Sequence, residues 1–155
     1  MPHLRIRLAA ASDLDSLVEL EFSAFKLDRI SKRSFRDLLA SSAATILVAE
    51  LKGSMIGSAV LLANARTSVI RLYSIAVAEG ARGKGVATKL LEDALRRAAH
   101  AGAVRFRLET RFDNLDAQHL FEKAGLKPFD NVDGYYEDGA RAIRYERILS
   151  NDTVS

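Results

Sequence analysis

Residues 77–91, VAEGARGKGVATKLL, set three glycines and two basic residues between a β-rich run and the first apolar positions of a helical period. A strand end, a glycine-rich turn and a helix start, in that order, form a cradle for an anion. The first backbone N–H groups of the helix have no intrachain acceptor and the helix dipole adds partial positive charge, so a phosphate bound there satisfies both. Arg82 and Lys84 add full charges, while Gly83, Gly85, Val86, Ala87 and Thr88 offer N–H groups. The ligand implied carries phosphate.

Two common nucleotide signatures fail on spacing. A Walker A loop needs Ser or Thr directly after Gly-Lys and another Gly five residues before the second, but Lys84 is followed by Gly85 and position 78 is Ala. A dinucleotide fingerprint begun at Gly83 needs Gly or Ala where Thr88 stands.

At 155 residues, with 48% hydrophobic and 28% charged positions, the chain suits one globular domain, expected over 1–150, with 151–155 as a flexible tail. Because there is no cysteine, disulfides, thiolate metal sites and an acyl-cysteine intermediate are excluded. The start carries no apolar leader segment and no run approaches the ~20 residues that span a bilayer, which predicts a cytoplasmic protein with no membrane partner. The excess of 23 basic over 20 acidic residues is dispersed. Without a nucleic-acid motif or an aromatic stacking set, the clusters at Lys32, Arg33 and Arg36 and at Arg96, Arg97, Arg105 and Arg107 read as solvated surface. His3, His100 and His119 lack metal-ligand spacing, so no metal is expected.

Alternation over 4–8 predicts a strand. Ser12 is expected to cap a first helix carrying Leu14, Leu17, Val18 and Phe25, and a second helix follows Ser31. Residues 45–51 and 55–63 form a hairpin around Lys52-Gly53, and a strand covers 69–77. Ala87, Leu90, Leu91, Ala94, Leu95 and Ala98 give the next helix a buried stripe whose small residues let it lie close to a sheet. Then come a strand at 104–110, a helix at 114–124 closed by Gly125, and a terminal hairpin of 128–136 with 142–149.

Arg82-x-x-Gly85-x-Ala87 resembles the [Q/R]-x-x-G-x-[G/A] pattern of the GNAT superfamily of N-acetyltransferases. Downstream, LETRFDNLDA at 108–117 and LFEKAGL at 120–126 are similar to that superfamily's L-E-V-x-x-x-N-x-x-A and L-Y-E-K-x-G-F segment. The resemblance implies an α/β (α+β) GNAT fold: a mixed sheet of about seven strands, a splayed central parallel pair and about four flanking helices. It also implies acetyl-CoA as acyl donor, its pyrophosphate at residues 82–88 and its pantetheine along Ile75, Ala76 and Val77, where a backbone N–H polarises the thioester carbonyl. Asn114 and Phe121 become cofactor contacts, although Asn114 also reads as a helix cap. The first two helices help to wall the acceptor site, bringing in Phe22, Phe25, Leu27, Asp28, Ile30 and Phe35, of which the apolar members read equally as core.

Glu109 is the candidate general base by resemblance to ribosomal-protein N-terminal acetyltransferases, the other reading being an exposed carboxylate paired with Arg107 or Arg111. Phe121 stands where many relatives have a tyrosine general acid. Tyr135 and Tyr136 are the candidate replacements, in a segment similar to the Y-Y-x-x-G-x-D-A tail of N-terminal acetyltransferases, with Arg141 in the Asp position. The acceptor expected is a peptide N-terminus or small primary amine, because an α-amine of pKa about 7.7–8.0 loses its proton more easily than a lysine near 10.4. Two other readings stand beside this one: a non-catalytic acyl-CoA-binding module, and an interaction domain with a purely structural glycine turn. Exposed aromatics on the terminal hairpin suit pairing across a homodimer.

Overall fold

A computed structural model describes residues 3–149 of the chain, so the expected tail at 151–155 lies outside the described residues. Seven strands make one sheet: β1 (Leu4–Leu8), β2 (Ala44–Leu51), β3 (Ser54–Asn64), β4 (Val69–Val77), β5 (Arg105–Arg111), β6 (Lys127–Val132) and β7 (Ala142–Ile148). Four helices accompany it: α1 (Leu14–Ala24), α2 (Lys32–Ala40), α3 (Val86–His100) and α4 (Leu115–Lys123). The strand order is β1-β2-β3-β4-β5-β7-β6. All neighbours are antiparallel except β4 and β5, the pair that α3 connects. Parallel neighbours need a crossover of this kind, since a short turn cannot return the chain to the same end of the sheet.

On α3, Leu90, Leu91, Ala94, Leu95 and Ala98 are buried against the sheet, as their spacing predicts, in one cluster with Phe106, Leu108, Phe121 and Tyr145. Ala87 differs from expectation: it is half-buried and Val86 takes the seat one residue earlier. The close approach owes as much to the sheet as to the helix. A Cβ added at Gly57 of β3 would lie 2.9 Å from Val86 Cγ1 and 3.0 Å from Leu90 Cδ1. The missing side chain thus lets the first turn of α3 sit directly on the sheet.

On the opposite face, Leu17 of α1 and Phe35 of α2 pack with Ile46, Val48 and Val60. The alternation along β5 buries Phe106, Leu108 and Thr110 and turns Arg105, Arg107, Glu109 and Arg111 to the other side. There the sheet is closed by ion pairs instead of helices. α2 begins directly after Ser31 as expected, and the Ser31 hydroxyl caps it by accepting from Ser34 N–H at 3.1 Å. Ser12 does not cap α1. A short 3-10 turn precedes that helix, and Asp13 accepts from Ala10 N–H at 2.7 Å while bonding the Arg7 guanidinium at 2.8 Å. Arg7 also reaches Glu50 at 3.2 Å and holds the Asp13 carboxyl below its ordinary pKa. An arginine already held by β2 makes Asp13 the stronger anchor. The terminal hairpin forms, but β6 ends at Val132 and leaves Tyr135 and Tyr136 in a loop closed by Gly139 N–H to Tyr136 O at 2.8 Å.

The contact at Gly57 sets the height of α3, so Gly57→Val forces Val86 and Leu90 outward. We expect a loss of about 1–3 kcal/mol of stability, typical of an overfilled core, read as a lower melting temperature in calorimetry. An unchanged melting temperature would show that α3 does not depend on the missing side chain.

Candidate active site

β4 and β5 pair from Val69↔Arg105 to Leu72↔Leu108 and then stop. The cause is local to β4. Its register against β3 shifts between Val60 and Leu61, which face Ser74 and Leu72, so Tyr73 is an extra residue with no partner. Such a bulge bends and twists its strand, and here it carries β4 away from β5. Beyond it β4 stays paired with β3 through Ile75↔Ala59, Ala76↔Ser58 and Val77↔Gly57. Its other edge faces the gap. Ala78 N–H donates to Ile56 O at 2.9 Å, and N–H directions alternate along a strand. The Ile75 and Val77 N–H groups therefore point into the gap, and that of Ala76 points back toward β3.

The chain then enters the cradle. Gly83 and Gly85 adopt φ of 76° and 82°, the left-handed region that glycine occupies without steric cost. Gly85 is the N-cap of α3 and its carbonyl accepts the first helical bond, from Lys89 N–H at 3.1 Å. The backbone N–H groups of residues 83–88 have no acceptor among the described residues. Arg82, Gly83, Lys84, Gly85 and Thr88 are exposed, Ala87 half-buried and Val86 buried. A Cβ at Gly83 or Gly85 would meet nothing within 4 Å, so the turn is open on its outer side. Free donors, two cations and open space suit a pyrophosphate, and the bare edge of Ile75, Ala76 and Val77 suits a chain of amides leading from it.

Glu109 lies across the gap with only 6% of its side chain exposed. Its Oε1 accepts from Arg71 Nε at 2.7 Å and its Oε2 from Arg144 Nε at 3.2 Å. The expected partners Arg107 and Arg111 go elsewhere, to Glu146 at 2.9 Å and Asp138 at 2.9 Å. Register explains the exchange: Glu109 sits directly opposite Arg144, and Arg107 opposite Glu146, and directly opposed cross-strand pairs come closest. Arg71 Nη2 also donates to the Tyr135 hydroxyl at 2.8 Å, which lies 3.5 Å from Glu109 Oε1. The Tyr135 and Tyr136 rings meet edge-on at 4.9 Å. Burial, reinforced by the Glu109 charge, raises the pKa of Tyr135; burial, then Tyr135 itself, raises that of Tyr136. Both hydroxyls keep their protons at neutral pH.

Glu109 and Tyr135 thus meet. Phe121 and Asn114 are placed differently. Phe121 is 3% exposed and packs on Tyr145 with ring centroids 6.0 Å apart, while Asn114 Oδ1 caps α4 through Ala117 N–H at 3.1 Å. Ile30 and Phe35 are core, whereas Phe22 and Leu27 are exposed.

Of the residues that the resemblance assigns to the acceptor wall, Leu27 and Asp28 reach this site, where Lys26, Arg29, Tyr73, Glu137 and Glu21 join them without having been singled out in the sequence. Asp28 and Glu137 clasp two loops, Asp28 N–H donating to Glu137 Oε2 at 2.6 Å and Glu137 N–H to Asp28 Oδ1 at 3.1 Å. Together with Lys26, Leu27, Arg29 and Tyr73 they line an open cleft of about 570 Å³. Glu21 of α1 is 3% exposed, accepts from Ile30 N–H at 3.0 Å and from the Ser74 hydroxyl at 3.3 Å, and has its pKa raised by burial. A carboxylate one helical turn after Leu17, on the buried stripe, was its only signal. No helix among the described residues is long and apolar enough to cross a membrane, and no three of their His, Asp and Glu side chains are grouped to hold a metal ion.

Comparison with known proteins converges on one family. The sequence model described as "Acetyltransferase (GNAT) family" matches residues 13–126. The N-alpha-acetyltransferase of Sulfolobus acidocaldarius is 30% identical over 149 residues, 89% of this chain and 88% of that one. N-alpha-acetyltransferase 30 of Schizosaccharomyces pombe is 35% identical over 82 residues, which span 52% of this chain and only 55% of that protein. The crystal structure of the ribosomal-protein-S18-alanine N-acetyltransferase from Escherichia coli superposes with a TM-score of 0.87 over 96% of this chain and 95% of that one, at 22% identity. That likeness is one of fold.

Glu109 joins β4, β5 and β7 through two arginines, so Glu109→Gln removes the bonded carboxylate of Arg71 and leaves Arg144 only Asp130, at 4.0 Å. We expect about 1–2 kcal/mol of destabilisation, between the values for exposed and buried pairs because the arginines are about one-third exposed. A double-mutant cycle with Arg144→Met in urea denaturation should give a coupling near 1 kcal/mol; additive effects would contradict the pairing.

Proposed function

The chain belongs to the acetyltransferase (GNAT) family, and on that premise we propose that it moves an acetyl group directly from acetyl-CoA to a primary amine, the N-terminus of a peptide or protein or a small amine. One observation carries the proposal: β4 and β5 part company at Leu72↔Leu108, which bares a strand edge that leads straight into a cradle of free N–H groups. In this reading the pyrophosphate lies on residues 82–88 and the pantetheine amides follow β4. The thioester carbonyl accepts from the Ile75 or Val77 N–H, which stabilises the oxyanion that forms when the amine attacks. One preorganised donor of this kind is worth roughly 2.7–4 kcal/mol.

Collapse of the tetrahedral intermediate breaks the C–S bond, and the thiolate needs a proton. Tyr135 can supply it, because its hydroxyl stays protonated at neutral pH and the phenolate left behind would sit 2.8 Å from Arg71 Nη2. Tyr136, stacked edge-on against it, holds that ring in place. We assign Glu109 the task of fixing Arg71 and Tyr135 at the gap. A proton taken on either oxygen would compete with a guanidinium N–H already bonded there, which makes Glu109 a better anchor than proton acceptor. The acceptor class rests on the cost of deprotonation, lower for an α-amine of pKa about 8 than for a lysine near 10.4, and on the N-alpha-acetyltransferases among the relatives. A non-catalytic acyl-CoA-binding module is the second reading, favoured by the buried Phe121 that carries no hydroxyl.

Calorimetric titration with acetyl-CoA tests the proposal. The wild type should bind, and Gly85→Glu, which sets a carboxylate beside the pyrophosphate, should bind at least tenfold more weakly, whereas Gly85→Asn, neutral and tolerant of positive φ, should lose less. No binding by the wild type, or equal binding by Gly85→Glu, would overturn it. Peptides with a free α-amine should then be acetylated in preference to N-terminally blocked peptides bearing lysine. Binding without turnover on any amine would favour the module.

A further inference from the structure

The reaction leaves one proton without an owner. An acceptor amine arrives largely as an ammonium and must lose a proton before it can attack, and Glu109 is committed to two arginines. A different carboxylate is buried against β4, the strand that edges the gap. Glu21 projects from α1 with one oxygen on Ile30 N–H and the other on the Ser74 hydroxyl. Ser74 sits between the Tyr73 bulge and the Ile75 N–H that points into the gap. The residues that precede the two partners of Glu21 in the chain, Arg29 before Ile30 and Tyr73 before Ser74, line the cleft.

We propose that Glu21 is the proton sink for the acceptor ammonium, reached through the Ser74 hydroxyl. Ser74 meets the amine: its oxygen takes a proton from the ammonium nitrogen while its own proton passes to Glu21 Oε1, leaving a neutral amine and a neutral carboxyl. The amine lone pair then forms the N–C bond. When the C–S bond breaks, the second nitrogen proton leaves to solvent, Tyr135 protonates the thiolate and is itself reprotonated from water, and Glu21 returns its proton to solvent. The sum is one ammonium and one thioester converted to one amide, one thiol and one released proton. No oxidant, metal or covalent enzyme intermediate is required.

The surroundings of Glu21 suit this task. Burial raises its pKa above the ordinary carboxylate value, while the Ile30 N–H, the Ser74 hydroxyl and the Arg29 charge pull it back down. None of α2, β3 and β4, all packed beside α1, brings a bonded cation to it among the described residues, the Arg71 of β4 being held by Glu109 and Tyr135. The carboxylate is therefore closer in proton affinity to an amine than an exposed one would be, the condition for efficient transfer near neutral pH. The sign is fixed: below its pKa Glu21 is neutral and accepts no proton, so the rate must fall as the pH is lowered through that value.

The proposal rests on the acetyltransferase reading, and the two fail differently. Glu21→Gln keeps the shape and should bind acetyl-CoA as the wild type does, so a wild type that binds none, or binds it and acetylates no amine, overturns the reading and the inference together. With activity established, Glu21→Gln should lower kcat/KM by roughly 10²–10⁴-fold and remove the acidic limb of its pH profile. Ser74→Ala should give a similar loss while leaving the Ile30 bond to Glu21 intact. The penalty should shrink sharply for a weakly basic acceptor that is already neutral at the assay pH. A packing role would instead lower the rate by one factor for every acceptor and leave the pH profile in place. That result, or retention of wild-type kcat/KM in either variant, would overturn the inference.

Discussion

The functional face depends on a pair of parallel strands that cease to hydrogen-bond half-way along. Parallel pairing of β4 and β5 would ordinarily continue to the ends of both strands, because every unpaired N–H and C=O in a sheet costs stability unless water or a ligand satisfies it. One extra residue, Tyr73, prevents this. It turns β4 outward, bares the Ile75 and Val77 N–H groups and aims the strand at the turn that follows. The glycines of that turn then allow six successive N–H groups to remain free, from Gly83 to Thr88. The gap and the cradle therefore present two groups of unsatisfied donors, on the β4 edge and at residues 83–88, separated by the bonded N–H groups of Ala78, Ala81 and Arg82, and a ligand with carbonyl and phosphate oxygens would satisfy both.

The two faces of the sheet are held by different physics. Against α3 and α4 the core is apolar and closely packed, with Gly57 making room for Val86 and Leu90. On the opposite face of β5 and β7, opposed charges take the place of a helix. Arg71, Glu109 and Arg144 form one run, and Arg105, Glu146 and Arg107 another. An apolar surface there would invite a covering element. A charged one stays open to solvent, and through Arg71 it fixes Tyr135 beside the gap. Among the carboxylates, Glu109 is bonded to two guanidiniums and Glu21 is buried with two neutral donors and the Arg29 charge nearby, a contrast that suits the proposed roles of anchor for the first and proton acceptor for the second.

Features governed by local spacing were legible in the sequence. The glycines of the cradle, the apolar stripe of α3, the start of α2 after Ser31 and the terminal pairing of β6 with β7 all follow from residues within one turn or one hairpin of each other. What escaped was non-local or silent in the pattern. An extra residue in an apolar strand leaves no mark on its composition, so Tyr73 gave no warning of the bulge. The partners of Glu109 come from β4 and β7, 38 and 35 residues away, and the near neighbours Arg107 and Arg111 were the natural but incorrect choice. Asp13 outcompeted Ser12 at the start of α1 because Arg7 and Glu50 had already placed a guanidinium there. Glu21 was not marked out by any motif, since its partners Ser74 and Ile30 come from elsewhere in the fold.

The most direct test that one ligand engages both groups of donors is an amide ¹H–¹⁵N spectrum of the labelled protein titrated with acetyl-CoA. Resonances of residues 83–88 and of Ile75 and Val77 should move and saturate together, while those of α2 stay in place. Saturable binding that leaves 83–88 and the β4 edge unmoved would contradict the account.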